Sequence, residues 1–105
     1  MTRITLFRRQ DIIFRVEAEG HSGYADEGAD IVCAAVTASF RLVSAQLDAA
    51  GVTQNVSQDP RRAYLAIEAA DAAAEHILAG FGALAWELCE EYSENISVTE
   101  VEQNA

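Results

Sequence analysis

The hydrophobic repeat of this chain switches back and forth between the strand period of two and the helical period of about 3.6, and few folds tolerate that order of switches. Thr2 to Arg8 and Ile12 to Ala18 alternate, with Ile4 and Leu6, then Ile12, Phe14, Val16 and Ala18, on their inner faces. The polar Arg9-Gln10-Asp11 between them reads as a hairpin. From Val32 the repeat is helical: Val32, Val36, Phe40, Val43 and Leu47 make one stripe, Asp30 stands at the N-cap position and Gly51 at the stop. Val52 to Ser57 and Ala63 to Ala69 return to strand character around the turn residues Gln58-Asp59-Pro60 and the pair Arg61-Arg62, with Leu65 and Ile67 inward. A second helix is predicted over Asp71 to Tyr92, with Ile77, Leu78, Phe81, Leu84, Ala85, Leu88 and Tyr92 on one face. Gly80 and Gly82 cost that helix about 1 kcal/mol each against alanine, which points to close backbone packing or a bend. Ile96 to Val101 is the last strand. The order ββαββαβ predicts an α+β fold in two layers, two helices packed on a largely antiparallel sheet of about five strands.

At 105 residues the whole chain, 1–105, reads as one domain able to bury about two thirds of its unfolded surface. No apolar run approaches the roughly 20 residues of a membrane span. The opening residues show a strand pattern rather than a secretion leader, so the expectation is a cytoplasmic protein with no membrane role. Seventeen acids against seven bases, a net charge of −10, argue against direct binding to nucleic acid or an anionic membrane and suit a basic protein or peptide. All the cations are arginine, which excludes a Schiff-base lysine and a phosphate-binding Gly-Lys-Ser/Thr loop. Cys33 and Cys89 are too few for paired Cys-x-x-Cys zinc units and unlike a secreted disulfide framework, so a reduced compartment fits.

The chemistry concentrates in Gly20-His21-Ser22-Gly23 and Asp30-Ile31-Val32-Cys33-Ala34-Ala35. Cys33 falls in the first turn of the predicted helix, where unpaired N–H groups and the positive end of the helix dipole favour a thiolate. His21 supplies a matching base, Asp30 caps the helix through the N–H of Val32 or Cys33, and amides around the helix start are candidate oxyanion donors. The acids Asp26, Glu27 and Asp30 oppose a further anion at the thiol, so the ion pair depends on contact with His21. Spacing alone leaves other readings open: Cys33 as a small core residue, and His21 as a polar loop residue without a role. A metal reading is weaker, because His21 and Cys33 are only two ligands and His76 is predicted on the outer side of the second helix; neither metal nor cofactor is expected. Cys89, at the margin of the second apolar face, reads as packing. Ala34, Ala38 and Ala45 form a smooth stripe that reads as a helix or subunit contact.

These residues resemble the ribosomal-processing cysteine protease family, also called Prp or YsxB-like. The signature is Gly-His, a glycine-containing loop, then Asp-Ile-Val-Cys-Ala, here Gly20-His21 and Asp30-Ile31-Val32-Cys33-Ala34; Glu90-Glu91-Tyr92-Ser93-Glu94-Asn95-Ile96 is a second match. The resemblance implies a cysteine endopeptidase that removes an N-terminal extension from large-subunit ribosomal protein twenty-seven during ribosome assembly. It implies Cys33 as nucleophile and His21 as base, with Gly20 and Asp30 on motif positions. Thr37 departs from the serine usual there but keeps the hydroxyl. The resemblance also implies a homodimer and a mobile loop over the site, here Ser22 to Ala29 with Gly23 and Gly28 as hinges. The rival expectation is a non-catalytic acidic binding module for a basic ribosomal protein or peptide.

Overall fold

The first two strands fold back through a loop of only two residues. β1 (Thr2–Arg9) and β2 (Ile12–Glu19) pair antiparallel, and Gln10 and Asp11 between them both take positive φ, 54° and 65°, the geometry whose twist matches the flanking strands. The computed structural model describes residues 1–26 and 28–103. It continues with α1 (Ile31–Ala49), β3 (Asn55–Asp59), β4 (Tyr64–Glu68), α2 (Ala72–Glu91) and β5 (Ile96–Glu102), the order expected from the repeat. The strands make one sheet in the order β3-β4-β2-β1-β5, antiparallel except where β1 meets β5. Ile4, Leu6, Val16, Ala18 and Ile67 of the sheet share one core with Val32, Val36, Phe40, Val43 and Leu47 of α1 and Leu78, Phe81 and Ala85 of α2. Both helices therefore cover the same face, and the fold is the expected two-layer α+β arrangement.

Two inner-face expectations fail. Ile12 is 41% exposed, whereas Ile13 and Phe14 are both buried. The register steps from Phe7↔Arg15 to Arg8↔Ile13, so Phe14 is an extra residue in β2 and the alternation flips beyond it. That is a β-bulge, which periodicity cannot foresee because it breaks the period. Leu84 is 38% exposed because the buried face of α2 runs through Ala74, Leu78, Phe81, Gly82 and Ala85 instead. The third strand starts at Asn55 rather than Val52, although Val52 is itself buried in the connection. The fourth starts at Tyr64 because Ala63 is left-handed, φ 48°, at the end of the short 3-10 turn Pro60–Arg62.

Asp30 and Asp71 cap the two helices, accepting from Val32 and Cys33 and from Ala73. By length and composition α1 would pass as a membrane span, but its apolar stripe is a wall of the core. The two helices meet through an edge-to-face pair, Phe40 and Phe81, with centroids 4.8 Å apart. At Gly82 the close packing anticipated from sequence is real: a Cβ there would stand 2.9 Å from Ile13 Cδ1, whereas one at Gly80 meets nothing.

The helix layer is narrower than the sheet. Val56 pairs with the buried Ile67 and so points to the helix side, yet it is 52% exposed. α1 thus stops short of β3 and leaves the inner face of that edge strand open.

Two glycine substitutions should separate these roles. Gly20 has φ +96°, and a Cβ on it would lie 2.6 Å from the Met1 carbonyl oxygen. Gly20→Ala is expected to cost about 3 kcal/mol in urea unfolding, while Gly80→Ala should stabilise by up to about 1 kcal/mol.

Candidate active site

The site begins where β2 leaves the sheet. Gly20 crosses directly over the start of the chain: its N–H donates to the carbonyls of Arg62 and Ala63 at 3.3 and 3.2 Å, and its carbonyl accepts from Thr2 Oγ1 at 2.8 Å. Only a glycine fits that crossing, so its place before His21 has a steric cause. His21 then emerges exposed, and Ser22 turns back in, 2% exposed.

Ser22 ties the site together. Its hydroxyl donates to Asp30 Oδ2 in a short hydrogen bond and accepts from the Tyr24 N–H at 3.2 Å. Its carbonyl accepts from Asn95 Nδ2 at 3.1 Å. Its own N–H donates to Cys33 Sγ at 3.2 Å, so the thiol is held from the loop side.

Asp30 holds the helix side. Oδ1 accepts from the N–H groups of Val32 and Cys33 at 3.0 and 2.9 Å, and Oδ2 takes the Tyr24 N–H at 3.3 Å beside the Ser22 hydroxyl. Burial works against the ionised carboxylate. The hydrogen bonds from the Ser22 hydroxyl, the Cys33 and Ala25 amides and the Cys33 thiol outweigh it, and the carboxyl sits at about 2 instead of 3.8. The capping role read from sequence is thus observed. The oxyanion role of the helix-start amides needs correcting, because Val32 and Cys33 give their N–H to Asp30 Oδ1 and Ala34 gives its own to the Asp30 carbonyl. The amide directed at the sulfur is that of Ser22.

Two clefts meet at the half-buried thiol. One, of about 500 Å³, lies between the loop and α1 and is lined by Gly23, Gly28, Ala34, Ala38 and Arg41; the other, of about 330 Å³, lies toward Gly20, Gln58, Tyr64 and Leu65. His21, Cys33 and Thr37 are the residues common to the two clefts, while the hydrogen bond to the sulfur comes from Ser22. Gly23 and Gly28 have positive φ, 73° and 91°, with open space around each. Ala34 and Ala38, part of the stripe read from sequence as a helix or subunit contact, are exposed in the single chain and line the larger cleft. Cys89 packs against the core and its thiol donates to the Ile96 carbonyl at 3.4 Å, a structural role.

Sequence reasoning passed over Ser22 as a site residue, and with it Tyr24, Arg41, Tyr92 and Asn95. The signal for two of them was present in the second motif. Tyr92 stacks edge-to-face with Tyr24 at 5.7 Å, and Asn95 holds the Ser22 carbonyl. The end of α2 is thus a brace for the loop after β2 from 73 residues away.

Because Asp30 is more acidic folded than unfolded, its contribution to stability is complete above about pH 4 and is lost as pH falls through about 2. Urea midpoints followed from pH 5 to pH 2 should show this loss, and Asp30→Asn should remove it. Ser22→Ala removes the hydroxyl that donates to Asp30 Oδ2 and accepts from the Tyr24 N–H, a loss that should cost about 1–3 kcal/mol at neutral pH.

Comparisons with known proteins bear on the family and the fold. The family model described as "Cysteine protease Prp" matches residues 1–97. Among solved structures, the essential ribosomal processing protease Prp from S. aureus, in complex with a covalently linked product peptide, superposes with a TM-score of 0.88 at 22% identity, over 95% of this chain and 99% of that one. The same S. aureus protein with a substrate peptide gives 0.82 at 21% identity, over 95% and 99%. SMU.848 from Streptococcus mutans gives 0.84 at 29% identity, over 98% and 96%. A search of curated proteins finds no match. With the family model spanning nearly the whole chain and the loop, cap and thiol placed as described, this chain belongs to the cysteine protease Prp family.

Proposed function

We propose that this protein is a cysteine endopeptidase that removes the N-terminal extension of large-subunit ribosomal protein twenty-seven during bacterial ribosome assembly, with Cys33 as nucleophile and His21 as general base. The observation that carries the reading is the placement of Cys33 in the first turn of α1, at the junction of two clefts that His21 also lines. The S. aureus relative held with a covalently linked product peptide supports it.

In the first half-reaction the imidazole takes the thiol proton as Sγ bonds to the peptide carbonyl carbon. The imidazolium then gives that proton to the departing amine as the C–N bond breaks, leaving a thioester. Water, deprotonated by the imidazole, attacks the thioester; the thiolate leaves and recovers the proton, and a carboxylic acid product departs. The Ser22 N–H, already directed at the sulfur, stands beside the carbonyl oxygen of any group bonded to it and serves as an oxyanion donor. Asp30 and Asn95 act through Ser22 as positioning residues. The loop closes on substrate about Gly23 and Gly28. The enzyme works in the cytoplasm, where ribosomes assemble and thiols stay reduced, as a homodimer. Its net charge of −10 draws a basic ribosomal protein, with an association rate that falls as salt rises.

Extended and trimmed substrate, mixed with protein under reducing conditions and weighed by mass spectrometry, tests the reading. Wild type should release the extension; Cys33→Ala should abolish cleavage while still binding substrate, and His21→Ala should slow it by about 10²–10⁴-fold. An acyl-enzyme adduct on Cys33 in a rapid acid quench completes the case. If wild type leaves the extension intact, or Cys33→Ala keeps its full biological effect, a non-catalytic acidic binding module is the correct reading.

A further inference from the structure

The open inner face of β3 has a consequence for substrate recognition. A third cleft, of about 180 Å³, lies between α1 and β3, lined by Thr37, Phe40, Arg41 and Ser44 on the helix and by Val56 and Gln58 on the strand. It shares Thr37, Gln58 and Leu65 with the smaller cleft at Cys33, and Thr37 and Arg41 with the larger one. A continuous trough therefore leaves the thiol and runs down one side of α1. From Cys33 to Ser44 the helix rises about 16 Å at about 1.5 Å per residue, which an extended peptide covers in about five residues.

The trough's chemistry is specific. Phe40, Leu65 and Val56 make it apolar, and Val56 is 52% exposed although it shares a side of the sheet with the buried Ile67. β3 is also the free edge of the sheet, so an extended chain lying there has main-chain groups to pair with. Arg41 is the one charged residue among the described residues that line the third cleft. The other arginines are engaged on other surfaces or lie outside it: Arg3, Arg8, Arg15 and Arg62 in ion pairs, Arg9 over the Phe14 ring, and Arg61 in the 3-10 turn.

We infer that the trough between α1 and β3 holds one flank of the peptide substrate in extended form, taking apolar side chains against Val56, Leu65 and Phe40 and a carboxylate against Arg41. The inference deepens the peptidase reading and rests on it. It makes Val56 and Arg41 specificity-determining residues, and it gives this acidic protein one local preference opposite to its overall field. The rest of the substrate can be basic and still be drawn in, while this flank is apolar with an acid in it.

The test is a binding measurement that does not depend on turnover. Cys33→Ala protein is titrated against two fluorescein-labelled half-peptides from the junction of extended ribosomal protein twenty-seven, one ending at the scissile residue and one beginning after it. Val56→Arg and Arg41→Glu, each added to Cys33→Ala, should weaken one and the same half-peptide by about tenfold or more and leave the other unchanged. The unaffected half reports that the variant is folded. The Arg41→Glu effect should shrink as salt rises, and the Val56→Arg effect should not. Loss of both halves alike, of neither, or no binding of either half to Cys33→Ala overturns the inference. So does a fall in oligomer mass with Val56→Arg while both halves still bind, since a second copy then occupies the trough. Cleavage of the intact junction peptide by the Cys33 protein is scored separately. Half-specific binding without cleavage retains the trough and rejects the peptidase, and cleavage without half-specific effects does the reverse.

Discussion

The carboxylate of Asp30 joins the loop after β2 to the first turn of α1, beside the hydrogen bond from the Ser22 N–H to Cys33 Sγ. Its Oδ1 closes the first turn of α1 through Val32 and Cys33, and its Oδ2 receives the Ser22 hydroxyl and the Tyr24 amide from the loop. A cap and a loop anchor are usually separate devices; here one charged group does both, so the thiol and the residue after the histidine are set relative to each other. The donors also keep the group ionised, at about 2, so the anion beside the thiol is permanent across the physiological range. On the loop side the Ser22 N–H donates to Cys33 Sγ.

Around this knot the fold provides rigidity from three directions. Gly20 pins the entry to the loop under the Met1 carbonyl, α1 carries the exit, and the turn after α2 reaches back through Asn95 and Tyr92. The far ends of the chain therefore matter to the site: Thr2 holds the Gly20 carbonyl, and β5, paired to β1, holds Asn95 in place. Gly23 and Gly28 of the loop have positive φ and open space around them.

Much of this was legible in the residues. The order of elements followed from the change of hydrophobic period, the five buried positions of α1 from its stripe, and the cap from an acid placed just before it. The departures share a cause. Ile12 was misplaced because a bulge adds Phe14 to β2, and Leu84 because the sheet surface under α2 selects a different stripe from the one apolarity suggests.

The sequence by itself determined the local matters: which segments are strands or helices, where α1 starts, that its first turn carries a cysteine, and that a histidine stands at the end of a strand. These depend on neighbours within a turn or two, and so are written in the spacing. Tertiary structure alone decided that Ser22 supports the thiol, that Asn95 supports Ser22, and that β3 lies beyond the reach of α1. Each of these is a contact between residues far apart in the chain, fixed by how two layers of unequal width pack, and no periodicity encodes that width.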